Sequence, residues 1–134
     1  MMPASTATAT RPALVLTVDD AEPFRRAARA VAEATDGFAA AGEVGSGEEA
    51  IACAAKMRPD VVLVDVNLPG IDGVETSRRL AALLPEALIV LVSGDAAPWP
   101  GARPPACGAV GFLPKERLSP RALRAMWDAR AVVS

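Results

Sequence analysis

Short runs of β-branched and other apolar residues alternate along the chain with helix-like segments, the pattern of βα repeats around a parallel sheet. Ala13–Val18 predicts a first strand, which ends on Asp19 and Asp20. A helix fits Glu22–Thr35, with Pro23 tolerated in its first turn and Gly37 stopping it. Phe38–Val44 predicts a weaker second strand, thinned by alanine and glycine. Ser46-Gly47-Glu48-Glu49 reads as a capping box for a helix running to about Met57, where Arg58-Pro59 breaks it. Val61–Val64 is continuously apolar, as expected of a central strand buried on both faces, and Asp65 follows it.

After the turn Asn67-Leu68-Pro69-Gly70 a third helix fits Gly73–Leu84, and Ala87–Val92 predicts another buried strand ending at Ser93. Ala109–Leu113, closed by Pro114, suits an edge strand, because proline cannot donate to a ladder. Ser119 caps a last helix with Pro120 at its first position, and Leu123, Met126, Trp127 and Arg130 fall along one face as core packing. Between the last two strands the rhythm fails. Pro98, Pro100, Pro104 and Pro105 make the helix due there missing or irregular, so Ala96–Pro105 is expected to be a loop, with Trp99 either a lid over the uncovered surface or an anchor for a partner.

The 134 residues suit one domain, with 1–12 a flexible, Ala-, Ser- and Thr-rich tail and 13–134 the folded unit. A hydrophobic share of 51% and a formal charge of −2 describe a compact chain with no general attraction to nucleic acid or anionic membranes. No segment is long and apolar enough to insert in a membrane, and Cys53 and Cys107 form no CxxC pair, so a cytoplasmic protein with reduced thiols is expected. Histidine is absent, which removes imidazole acid–base catalysis and most zinc sites.

In an open parallel α/β sheet, sites gather at the carboxyl ends of the strands. That rule collects Asp19 and Asp20 after the first strand, Asp65 after the third, Ser93 after the fourth and Lys115 after the fifth. One Asp after a strand is commonly only a cap, but five polar groups at matching ends point to a site. Clustered carboxylates repel and recruit a cation, and an all-oxygen set favours Mg²⁺. With Lys115 as a further positive charge, such a site suits transfer of a phosphoryl group to a carboxylate.

The Asp19-Asp20 pair, the run from Asp65 through Asn67-Leu68-Pro69-Gly70 to Gly73, Val92-Ser93-Gly94 and Gly108–Lys115 together resemble the receiver domains of two-component response regulators, over roughly Ala13 to Ala131. The last of these runs is similar to receivers that precede LuxR-type DNA-binding domains. The resemblance implies a flavodoxin-like, doubly wound sheet of five parallel strands in the order 2-1-3-4-5. It implies that Asp65 is the phosphoacceptor, that Asp20, Asp65 and the Asn67 carbonyl bind Mg²⁺ directly, and that Asp19 acts through water. It further implies that Ser93 and Lys115 hold phosphoryl oxygens, that Phe112 is a switch aromatic moving with Ser93, and that Asn67 and Asp95 speed hydrolysis of the acyl phosphate. The implied partners are a sensor histidine kinase or phosphotransfer protein and a downstream protein target, with no direct nucleic-acid binding by this chain. It would be a regulator rather than an enzyme.

Two features depart from the family pattern. Pro114 precedes Lys115, where the family often has proline after the lysine, and the proline-rich segment replaces a helix that relatives use for dimerisation or target binding. Two alternatives stand beside this reading. One is a pseudo-receiver serving only as an interaction module. The other is a phosphatase of the haloacid-dehalogenase type, whose acid–base Asp would stand where this chain has Asn67.

Overall fold

The computed structural model describes residues 11–95, 107–109 and 111–133. The strands are β1 (Ala13–Val18), β2 (Phe38–Val44), β3 (Val61–Asp65), β4 (Leu88–Ser93) and β5 (Gly111–Pro114). All pair in parallel in the order β2-β1-β3-β4-β5, as the resemblance implied. The helices among the described residues are α1 (Glu22–Ala34), α2 (Gly47–Met57), α3 (Gly73–Leu83) and α4 (Pro120–Val133), with a 3₁₀ turn at Lys115–Arg117. The tail at 1–10, Trp99 and the proline-rich stretch with its expected loop lie outside the described residues.

The central strands alternate their side chains between two cores. Val62 and Val64 of β3 pack with Ala50 and Ala54 of α2 and Leu80 of α3. Val61 and Leu63 pack on the other face with Ala28 and Ala32 of α1 and Leu123 of α4. Because both faces are covered, β3 and β4 are buried along their whole length, which explains their uninterrupted apolar sequence. The expected stripe on α4 is partly borne out: Leu123 is buried, Met126 and Trp127 pack against the same core, and Trp127 meets Phe38 edge to face at 5.6 Å.

Element ends move by a residue or two from the sequence expectation. α1 and α3 each stop one residue early, at Ala34 and Leu83, and β4 starts at Leu88. β5 is Gly111–Pro114 rather than Ala109–Leu113, because Pro114 still pairs opposite Ser93 through its extended backbone. The capping box is altered as well. Ser46 Oγ accepts the Glu49 N–H at 3.1 Å, but Glu49 Oε1 takes the Gly45 N–H at 2.9 Å in place of the Ser46 amide.

Candidate functional site

Parallel pairing sets the site. Val18 of β1 lies beside Val64 of β3, so the residues that follow, Asp19 and Asp65, emerge as neighbours. Here the strand order reverses and the crevice at the carboxyl ends opens. Asp19 and Asp65 are buried and Asp20 is exposed, and one carboxylate oxygen from each lies within 4.8 Å of the others. Asp19 Oδ1 accepts the Ala21 N–H at 2.8 Å, whereas Oδ2 is buried with no aligned donor. Three carboxylates within reach of one ion are a set of hard oxygen ligands, which fits a divalent cation.

Lys115 follows β5, two strands away from β3. Strands lie about 4.8 Å apart, so only a long side chain bridges the gap. Its Nζ stands 2.6 Å from Asp19 Oδ2 and 3.5 Å from Asp65 Oδ2. Burial alone would lower the Lys115 pKa, but the two carboxylates outweigh it and hold the ammonium above its usual range. Burial pushes the Asp65 carboxyl up, Asp19 adds to the shift, and the Asn67 amide and Lys115 offset part of it.

Asn67, Ser93 and Asp95 stand at or just beyond the carboxyl ends of β3 and β4, and Phe112 lies within β5. Asn67 is exposed, and its N–H donates to Asp65 Oδ1 at 3.2 Å. Ser93 is fully buried at the end of β4, and its hydroxyl accepts the N–H of exposed Asp95 at 2.9 Å. Phe112 sits opposite Leu91 and packs, partly buried, against the core shared with α2 and α3.

Two further residues, given no role of their own from sequence, contribute to the site. Phe24, in the first turn of α1, lies under the Lys115 ammonium, with Nζ 4.8 Å from its ring centroid. Nothing in a lone aromatic at that position announces such a contact. Gly73 opens α3 against the site: its N–H donates to Val66 O at 3.0 Å, and a Cβ would come within 2.1 Å of Asp65 O. Its place at the end of the Asp65–Gly73 run that carries the family resemblance was the available signal.

Comparison with known proteins agrees with this geometry. The family model of the response regulator receiver domain matches residues 15–128. Over 102 residues the chain is 37% identical to the response regulator GacA of Pseudomonas viridiflava, covering 75% of this chain and 47% of that protein. It is 33% identical over 121 residues to protein-glutamate methylesterase/protein-glutamine glutaminase 5 of Anaeromyxobacter dehalogenans, covering 90% of this chain and 33% of that one. The solved structure of the Vibrio cholerae chemotaxis protein CheY4 is similar at a TM-score of 0.73 and 27% identity, over 88% of this chain and 98% of its own. The chain thus spans about half the length of GacA and a third of the methylesterase. The matches favour neither the phosphatase nor the pseudo-receiver alternative. No helix among the described residues is long and apolar enough to cross a membrane. The family model, the shared topology and the acidic cluster at the strand ends converge: this chain belongs to the response-regulator receiver domains of two-component signalling.

Proposed function

We propose that Asp65 accepts a phosphoryl group from the phosphohistidine of a sensor kinase or phosphotransfer protein, in a Mg²⁺-dependent reaction in the cytoplasm. The observation that carries this reading is the meeting of Asp19, Asp20 and Asp65 oxygens within 4.8 Å, with Lys115 3.5 Å from Asp65. Asp65 Oδ attacks phosphorus, the P–N bond to the donor breaks, and its electron pair returns to the donor imidazole. Asp20, Asp65 and the Asn67 carbonyl would hold Mg²⁺, with Asp19 acting through water. The cation would supply charge neutralisation between the carboxylates and the incoming phosphoryl oxygens. Lys115 neutralises a further oxygen, and Ser93 donates its hydroxyl to another. Reorientation of Ser93 toward the phosphoryl group releases space into which Phe112 turns, altering the surface offered to a downstream protein. Asp95, at the rim, orients the water that later hydrolyses the acyl phosphate. In this reading the domain is a regulatory phosphoacceptor rather than an enzyme.

Incubation with acetyl phosphate and Mg²⁺ should add one phosphoryl group, read by intact mass, and Asp65→Asn should add none. Stable labelling of that variant at another residue would overturn the assignment. Calorimetry should show Asp20→Ala weakening Mg²⁺ more than Asp19→Ala; equal losses would contradict the division into direct and water-mediated ligands.

A further inference from the structure

The loop after Asp65 is gripped by an element that the site chemistry does not use. Glu48, in the first turn of α2, reaches across to it, and its Oε2 accepts the Ile71 N–H at 3.1 Å. The same oxygen fills the place of a side chain on Gly70, where a Cβ would come within 2.5 Å of it. Gly70 also has φ +74°, a backbone conformation that favours glycine. One residue before Glu48, Gly47 lets α2 close on the same loop, since a Cβ would lie 2.0 Å from Thr76 Oγ1 and 2.9 Å from Ile71 Cγ1. Thr76 in turn donates to Asp72 O at 2.7 Å. Backbone amides, its own and that of Ile71, hold the Glu48 carboxyl below the usual range, with Arg79 adding to them.

Beyond Asn67, whose N–H is held by Asp65 Oδ1, and Leu68, which is buried in the core, the loop has two anchors. Gly73 fixes its far end to Val66 O, and Glu48 fixes Gly70–Ile71. Asn67 lies between Asp65 and the Glu48 anchor, so releasing that anchor frees the backbone on which its carbonyl is carried. The cost of ordering it then falls on whatever binds there.

We propose that Glu48 is a positioning residue for the metal site: it touches neither the cation nor the phosphoryl group, yet sets Mg²⁺ affinity by holding the loop that presents the Asn67 carbonyl. This rests on the reading of that carbonyl as a ligand. A purely local role, as an acid beside the positive end of the α2 dipole, would affect helix stability alone.

The test is Mg²⁺ titration calorimetry on the full chain, together with exchange of the Ile71 amide in metal-free protein. Glu48→Ala should raise the Mg²⁺ Kd about tenfold, the scale of lost support around a metal ligand, and speed Ile71 exchange. Glu48→Gln keeps an acceptor oxygen and should recover most of the affinity. Ser46→Ala weakens the α2 cap but leaves the tether, and should leave Kd unchanged; where Glu48→Ala folds poorly, Glu48→Asp, an acid too short to reach Ile71, should raise Kd in its place. Faster Ile71 exchange with an unchanged Kd, or a Kd rise of equal size in Ser46→Ala, would overturn the proposal. Asp20→Ala separates the two levels: if it fails to weaken Mg²⁺, the metal-site reading itself is wrong.

Discussion

The Lys115 ammonium stands 2.6 Å from Asp19 Oδ2, nearer than the 3.5 Å that separates it from Asp65 Oδ2. Asp19 is fully buried and its other oxygen is taken by the Ala21 N–H, so Lys115 supplies the charge compensation of Oδ2 before any ligand arrives. Lys115→Met should therefore destabilise the metal-free protein by about 3 kcal/mol, the cost of leaving one buried charge unpaired. Added Mg²⁺ should restore more stability to the variant than to the parent, as measured by urea unfolding. The lysine pKa is raised by folding, so its contribution is complete below the ordinary lysine value and fades as pH rises through the raised one. An unchanged midpoint would mean that another group compensates Asp19.

Asp65 shares the direction of that pH dependence but costs stability at neutral pH. Burial and Asp19 raise its pKa, so folding favours the neutral acid. Without metal, this stabilises the fold below the ordinary Asp pKa and is lost as pH rises through the raised value. Asp65→Asn, neutral throughout, should be the more stable protein at pH 7, by on the order of 1 kcal/mol or about 4 °C in Tm. The gap should close toward acid pH in thermal scans with chelator present. A variant melting below the parent at pH 7 would show that the Lys115 contact outweighs desolvation.

Phe24 faces the same ammonium from α1, with the ring centroid 4.8 Å from Nζ. A cation–π contact of this kind contributes about 1 kcal/mol. Phe24→Leu should slow phosphorylation by acetyl phosphate roughly fivefold, the equivalent of that energy, while Phe24→Tyr keeps the ring and the rate. Equal rates in all three proteins would reduce Phe24 to its packing against the core.

At Gly73 two effects oppose. Alanine gains about 1 kcal/mol of helix propensity, but its Cβ would meet backbone Asp65 O at 2.1 Å, and neither atom can rotate away. Overpacking of this kind costs about 1–3 kcal/mol, so Gly73→Ala should lower stability and move Asp65. Calorimetric melting and phosphorylation rates measured together check this; a more stable, fully active variant would refute it.

Asp95 is exposed, and only its backbone N–H engages Ser93 Oγ, a contact that alanine preserves. Decay of the phosphoprotein should therefore slow in Asp95→Ala without loss of phosphorylation. An unchanged half-life would remove Asp95 from the hydrolytic step.

Local physics settled much of this protein in one dimension. Ala13–Val18 and Phe38–Val44 were legible to the residue, because apolar runs between turn signals specify strands without reference to distant partners. The chemistry was legible for a related reason: strands of a parallel sheet all present their carboxyl ends on one edge, so Asp19, Asp65, Ser93 and Lys115 could be grouped from order alone. Contact was another matter. That Lys115 reaches past β4 to Asp19, that Phe24 lies beneath it, and that Glu48 holds Ile71 depend on side-chain reach and on how helices seat against the sheet. Glu48 shows the difference. Its sequence position announces a helix start, but its partner is 23 residues away, brought into range where Gly47 lets α2 seat against the Ile71 and Thr76 side chains. Such contacts have no periodicity to read, because they arise from packing between elements rather than from the conformation of either one.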